Sequence, residues 1–324
     1  MLRERIPSRL ILAIFFFFSL ALTASAAGNG QQEAKADKKA RAAKPATPRA
    51  PVDPAKYVGA DTCKGCHEEE FKSYESSSHA ATAMNEKRSA DVKGCEGCHG
   101  PGKDHTENPG EKGKIFAFSH DTPSAQLSER CLVCHAEGGT HANFQRAMHN
   151  SNSVSCIDCH SPHKPKVKEA LLRLPQPMLC YGCHQDKKPD FAKPFHHRVN
   201  EGLVKCSDCH NPHGGFLTRQ MNTTNSQDTV CYKCHAEKAG PFVFEHAPVK
   251  TEGCVACHSP HGSSNPRLLR RANVNLLCLE CHTLTVDSVA PAAPTFHNQA
   301  TKYQACTMCH TQIHGSNFSR VFFK

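Results

Sequence analysis

The sequence predicts a mostly irregular, elongated chain with short α-helices, repeated five times around a core that the polypeptide does not itself supply. Three observations predict this. No long amphipathic helix and no alternating strand runs through the 324 residues. Proline punctuates the chain, as at Pro101, Pro109, Pro123, Pro162, Pro165, Pro175 and Pro177. Cysteine and histidine recur on a fixed spacing throughout, and the 20 cysteines are all used by that spacing.

The recurring element is shown by Cys206-Ser-Asp-Cys209-His210-Asn-Pro-His213. Its first part, Cys-x-x-Cys-His, is the attachment signature of c-type haem. Two thiols add to the two vinyl groups of one haem, and the adjacent histidine reaches the iron from the same face. The cysteine pairs are Cys63 and Cys66, Cys95 and Cys98, Cys131 and Cys134, Cys156 and Cys159, and Cys180 and Cys183 in the first half. In the second half they are Cys206 and Cys209, Cys231 and Cys234, Cys254 and Cys257, Cys278 and Cys281, and Cys306 and Cys309. The proximal histidines that follow are His67, His99, His135, His160, His184, His210, His235, His258, His282 and His310. A disulfide framework does not need a histidine after every second cysteine. A thioredoxin-like motif occurs once on a βαβ scaffold. Zinc is the remaining alternative, but it needs two further ligands and leaves the adjacent histidine unexplained. The motifs therefore predict ten covalently bound c-type haems, that is, a multihaem cytochrome c.

Ahead of the motifs stands a secretory signal peptide at 1–26: Arg3, Arg5 and Arg9, an apolar run from Leu10 to Leu22, and Ala24-Ser25-Ala26. The run is short for a membrane span, which needs about 20 residues. Residues 27–56 are rich in Lys, Ala and Pro and are expected to be a disordered linker. Haem attachment to this motif follows export in bacteria, so the expected compartment is the periplasm.

From residue 57 to 324 the chain is a haem domain with a finer period. Each of five dihaem units holds a motif, a lone histidine, a second motif, and a histidine three to six residues later. This picks ten distal ligands: His79, His105, His149, His163, His197, His213, His246, His261, His297 and His314. His196 is an alternative to its neighbour His197. His120, His141 and His196 otherwise fall outside the pattern and are expected to be solvent-exposed or to contact propionates. A histidine three residues after its motif is too close to loop over its own haem, so it is expected to ligate a neighbour. Short helices are expected at Ser124 to His135, at Asn273 to His282 and leading into His67. The porphyrins are expected to supply the apolar surface that a chain this polar lacks, at about 25 cal/mol per Å² buried.

One distal ligand per haem leaves no iron open, so the expected chemistry is outer-sphere electron transfer and not catalysis. A nitrite or hydroxylamine reductase needs a five-coordinate haem, and the histidine count opposes it. Nucleic-acid binding is also a poor reading. The net charge is +9, but residues 57–324 hold only 29 Lys and Arg against 26 Asp and Glu. Each ferric haem with two propionates adds about −1 and turns that surface acidic.

Several segments carry a family resemblance: Gly59-Ala60-Asp61, Cys95-Glu-Gly-Cys-His-Gly-Pro101, Cys206-Ser-Asp-Cys-His-Asn-Pro-His-Gly214, Cys231-Tyr-Lys-Cys-His-Ala-Glu-Lys-Ala-Gly-Pro241, Glu245-His-Ala-Pro-Val249 and Ile313-His-Gly-Ser-Asn317. In these the chain resembles the MtrA/DmsE family of periplasmic decahaem cytochromes, from Gly59 to Asn317. The resemblance implies two linked pentahaem modules, here 57–200 and 201–324, seated in an outer-membrane β-barrel porin. It implies electron exchange between the periplasm and the cell exterior. It also implies an outer-surface multihaem cytochrome or reductase as one partner and a periplasmic or inner-membrane donor as another. The linker at 27–56 is outside the match. The alternative is a soluble periplasmic electron carrier that donates to a reductase.

Overall fold

The computed structural model describes residues 52–137, 139–223, 226–282 and 304–324. The expected signal peptide, residues 27–51 of the expected linker, and His297 lie outside the described residues. The last linker residues form a short 3-10 turn, Pro54–Lys56, capped by the Asp53 side chain.

Among the described residues there are short helices, 3-10 turns and isolated bridges, with no strand. The longest helix is Ser124–His135, of 12 residues. Pro123 cannot continue a helix backwards, and the Ala-Gln-Leu-Ser-Glu-Arg run after Ser124 favours one. Its inner face buries Leu127 and Ser128, and its last turn carries the Cys131 motif. The other two expected helices are present as Val274–Leu279 and Ala60–Lys64. The buried apolar side chains are few: Tyr74, Leu127, Phe144, Ala147, Tyr181, Phe191, Val199 and Val230. Their largest grouping is Tyr181, Phe191 and Val199, with Val204 and Cys206 against them. Large apolar side chains such as Phe216 (71% exposed) and Leu203 (77%) stay open, so protein packing alone leaves this fold short of core.

Two recurring devices give the fold its order. In the first, the chain leaves a motif and folds back on it. Isolated bridges join His160 to Leu172, His210 to Met221 and His258 to Leu269. In each case the residue after the histidine donates its N–H to a carbonyl on the returning arm, at 2.7 Å for Ser161→Leu171, Asn211→Gln220 and Ser259→Leu268.

The second device joins neighbouring units. Phe195 pairs with Ser263, and Phe244 with Ser316. At these crossings a glycine follows the distal histidine. A Cβ on Gly262 would lie 1.9 Å from the Asp190 carbonyl oxygen, and one on Gly214 would lie 2.9 Å from that of Asn143. The His-Gly dipeptide is thus a docking point for the segment that carries the lone histidine of the preceding unit.

Candidate haem-binding sites

Each motif is one turn of helix or 3-10 helix closed on itself. The histidine N–H donates to the first cysteine's carbonyl in the nine motifs outside the Ser124–His135 helix, at 2.9 to 3.0 Å. One such turn places the two thiols and the imidazole on the same side, because residues four apart are neighbours on a helix.

The first cysteines of the two motifs in each unit also meet. Thiol-to-thiol hydrogen bonds join Cys63 to Cys95, Cys131 to Cys156, Cys180 to Cys206, and Cys231 to Cys254. Accepting that bond pulls Cys95, Cys156 and Cys206 down to about 7. Burial and the neighbouring Cys306 push Cys278 up to about 12.

The histidines stand in pairs across a common gap. Imidazole nitrogens bond first-row metals at about 2 Å, and the ring centre lies roughly 1.2 Å further back, so two imidazoles on one ion hold their centroids roughly 6.3 Å apart. The structure brings His67 and His105 to 6.3 Å, His79 and His135 to 6.1 Å, and His99 and His163 to 6.2 Å. His149 and His184 stand at 6.1 Å, His160 and His213 at 5.9 Å, and His197 and His235 at 6.3 Å. His210 and His261 stand at 6.1 Å, His246 and His282 at 6.3 Å, and His258 and His314 at 6.2 Å. Every pair joins one motif histidine to one histidine of the distal pattern. His310 and His297 are the remaining two histidines of the pattern, and His297 lies outside the described residues.

The pairs follow a rule. A lone histidine faces the first motif of the next unit, as His149 faces His184. A trailing histidine faces the second motif of the previous unit, as His213 faces His160. The first unit departs from this, since His105 faces its own first motif at His67.

The donor chemistry fits haem. Each described pair carries two thiols on one member and a gap sized for one ion. Burial, reinforced by neighbouring charged groups, pushes His213 and His314 down to about 4, which keeps them neutral and available as ligands. Backbone carbonyls orient one imidazole of many pairs through its second nitrogen. The proximal His99, His160, His210, His258 and His310 donate Nδ1–H to the carbonyls of Phe116, Ala170, Arg219, Arg267 and Val321, at 3.0, 2.6, 3.0, 2.8 and 2.6 Å. The distal His149 and His197 donate to Pro212 and Pro260, at 2.8 and 2.6 Å.

Three histidines outside the pattern sort differently. His196 is tied to the Glu201 carboxylate at 3.0 Å and to the Lys193 carbonyl, so its neighbour His197 faces His235. His120 is exposed. His141 is partly buried: its ring lies 4.4 Å from His213 and 5.4 Å from His135, beside two of the ring pairs at once. The sequence pattern also passed over Glu96, inside the second motif. It is 4% exposed, and its carboxylate accepts N–H bonds from Val58 (3.0 Å), Gly59 (2.8 Å) and Gly102 (2.7 Å).

Short helices, repeated Cys-x-x-Cys-His turns and facing imidazoles define a c-type multihaem cytochrome, an electron-transfer protein and not an enzyme. The doubled CXXCH motif family matches residues 149–189, 196–240 and 246–286. Each match begins at or beside a lone histidine and ends just past the motif it faces. The multiheme cytochrome MtrA of Shewanella baltica (strain OS185) is 33% identical over 268 residues, covering 80% of this chain and 79% of the relative. The chain belongs to the MtrA-like multihaem cytochromes.

Proposed function

We propose that all ten motifs carry haem and that the ten distal histidines fill every sixth position. In this reading the nine facing pairs are axial ligand sets, His197 serves in preference to His196, and His297 completes the site of His310. Haem, when bound, would supply reversible one-electron iron chemistry. The chain's histidines hold the axial positions against water and substrates. Its lysines and arginines offset propionate charge.

The protein is exported by a cleaved signal peptide at 1–26 to the periplasm and associates with the outer membrane. It exchanges electrons between the periplasm and the cell exterior from within a β-barrel porin. A periplasmic or inner-membrane donor stands on one side and an outer-surface multihaem cytochrome or reductase on the other. Two pentahaem modules, 57–200 and 201–324, make up its length. The observation that carries this reading is the set of nine ring pairs among the described residues, from His67 to His314, each at 5.9 to 6.3 Å. The barrel is what a membrane crossing by this chain would require. No helix of the described residues is long and apolar enough to cross a membrane. Irregular backbone cannot face hydrocarbon, so a crossing requires a closed barrel around it.

The test is reconstitution with a candidate barrel, encoded beside the cytochrome, into liposomes that hold reduced methyl viologen. External ferric citrate is expected to oxidise the trapped dye only when barrel and cytochrome are both present. Equal rates with barrel alone would overturn the conduit and leave the soluble periplasmic carrier.

A further inference from the structure

We infer that the paired left-handed residues after the second motif of units two to four are positioning residues, which aim a carbonyl at the proximal imidazole and hold the potential of that haem down. The inference rests on the haem reading above.

Three turns carry it. Ala170 and Leu171 have φ of 56° and 51°, Arg219 and Gln220 59° and 49°, and Arg267 and Leu268 59° and 58°. Two successive residues with positive φ make a type I′ turn, which ordinarily selects Asn-Gly. None of these six is glycine or asparagine, and side chains with a Cβ are disfavoured there. The same disfavoured conformation recurs nine or ten residues after the proximal histidine in three units. Such strain persists only where the surroundings hold it in place, and its repetition points to a use.

The surroundings do hold it. Arg173, Asn222 and Arg270 donate backbone N–H to the carbonyls of Cys159, Cys209 and Cys257, at 2.9, 2.7 and 3.0 Å. Their side chains grip the motif too, reaching the carbonyls of Ile157 (3.1 Å), Ser207 (3.0 Å) and Ala256 (2.7 Å). With both arms fixed, the carbonyl of the first left-handed residue is delivered to the imidazole. Ala170, Arg219 and Arg267 accept the Nδ1–H of His160, His210 and His258 in this way. A residue with φ near −65° would turn that carbonyl aside.

The consequence concerns the metal. An acceptor on Nδ1–H raises the basicity of the coordinating nitrogen. A more basic ligand favours ferric over ferrous iron, and hydrogen bonding around the axial ligand is one of the protein's levers on potential. By contrast, the Nδ1 atoms of His79 and His105 are buried without a protein acceptor.

Ala170 is the cleanest place to test this, because its side chain is only a methyl group. Ala170→Gly is at ease at positive φ and is expected to leave every haem couple and the low-spin resonance spectrum unchanged. Ala170→Pro fixes φ near −65°, and its lost N–H is not used within the described chain. It is expected to shift one haem's share of the α-band upward in a potentiometric titration and to alter one low-spin signal. Haem content by pyridine haemochrome is measured on every sample, so failure of the haem reading shows separately as missing haem. Should Ala170→Pro load incompletely, Ala170→Val is titrated instead, since a β-branched residue also disfavours positive φ. An unshifted couple in a fully loaded Pro or Val variant would overturn the inference, as would a shift in the Gly variant equal to theirs.

Discussion

Gly262→Ala tests how the units are joined. The backbone at Gly262 lies outside the left-handed region, so an alanine there faces no conformational penalty and the effect is steric. Its Cβ would sit 1.9 Å from the Asp190 carbonyl oxygen and 2.9 Å from the carbonyl carbon, both backbone atoms that no rotamer change can move. Restoring an ordinary contact separates the two segments by roughly 1.3 Å or more. That displacement breaks the pair of bonds between Phe195 and Ser263, at 3.2 and 2.8 Å, and stretches the 2.6 Å bond from His197 to the Pro260 carbonyl. Overpacking typically costs about 1–3 kcal/mol, and each lost hydrogen bond about 0.5–1.5 kcal/mol. A loss on the order of 3 kcal/mol is therefore expected. The displaced segments carry His197 and His261, so two haems are affected together. Thermal unfolding followed at the Soret band is expected to show a clear drop in Tm, and electron paramagnetic resonance a high-spin ferric fraction. Gly202→Ala is the control: φ is +77° but nothing lies within 4 Å of the new Cβ. It is expected to cost about 1 kcal/mol with unchanged spectra. Unchanged Tm and spectra in Gly262→Ala would refute the docking argument.

Three further outcomes follow from the site geometry. His314→Ala is expected to open the haem on Cys254 and Cys257, not the one on the adjacent Cys306 and Cys309, because His314 faces His258; carbon monoxide binding to one haem, located by peptide mapping of photolabelled protein, checks this. Glu96→Gln puts an amide N–H group where three backbone N–H groups converge on a carboxylate; a destabilisation of about 1–3 kcal/mol is expected in denaturant titration, with haem content intact. His141→Met, at a ring that touches His213 and lies beside His135, is expected to perturb two low-spin signals together, whereas a surface histidine would perturb none.

The motif turns were legible because thioether attachment is local chemistry: two thiols and a histidine must share one turn of chain. The Ser124–His135 helix was legible for a similar reason, as Pro123 marks its start and its formers run unbroken to the motif. The distal histidines could be counted but not paired. Their partners depend on crossings between distant segments, such as His197 meeting Pro260 across 63 residues. The choice between His196 and His197 had no local signal either; it turns on Glu201, which occupies His196. Two features left traces that pattern reading passed over. The His-Gly dipeptides at 213–214, 261–262 and 314–315 mark close backbone approach, and an acidic residue inside a haem motif at Glu96 marks a buried acceptor. The left-handed turns left none, since Ala-Leu, Arg-Gln and Arg-Leu do not ordinarily adopt that conformation.

The central claim is that every motif is loaded and every iron is doubly ligated by histidine. Intact-mass spectrometry of protein matured in its native export pathway, read alongside the resonance spectrum of the same oxidised sample, tests it most directly. The account predicts the polypeptide from residue 27 onward plus ten haems, with low-spin ferric signals only. A fully matured sample carrying nine haems or fewer, or one with a stoichiometric high-spin signal, would contradict it.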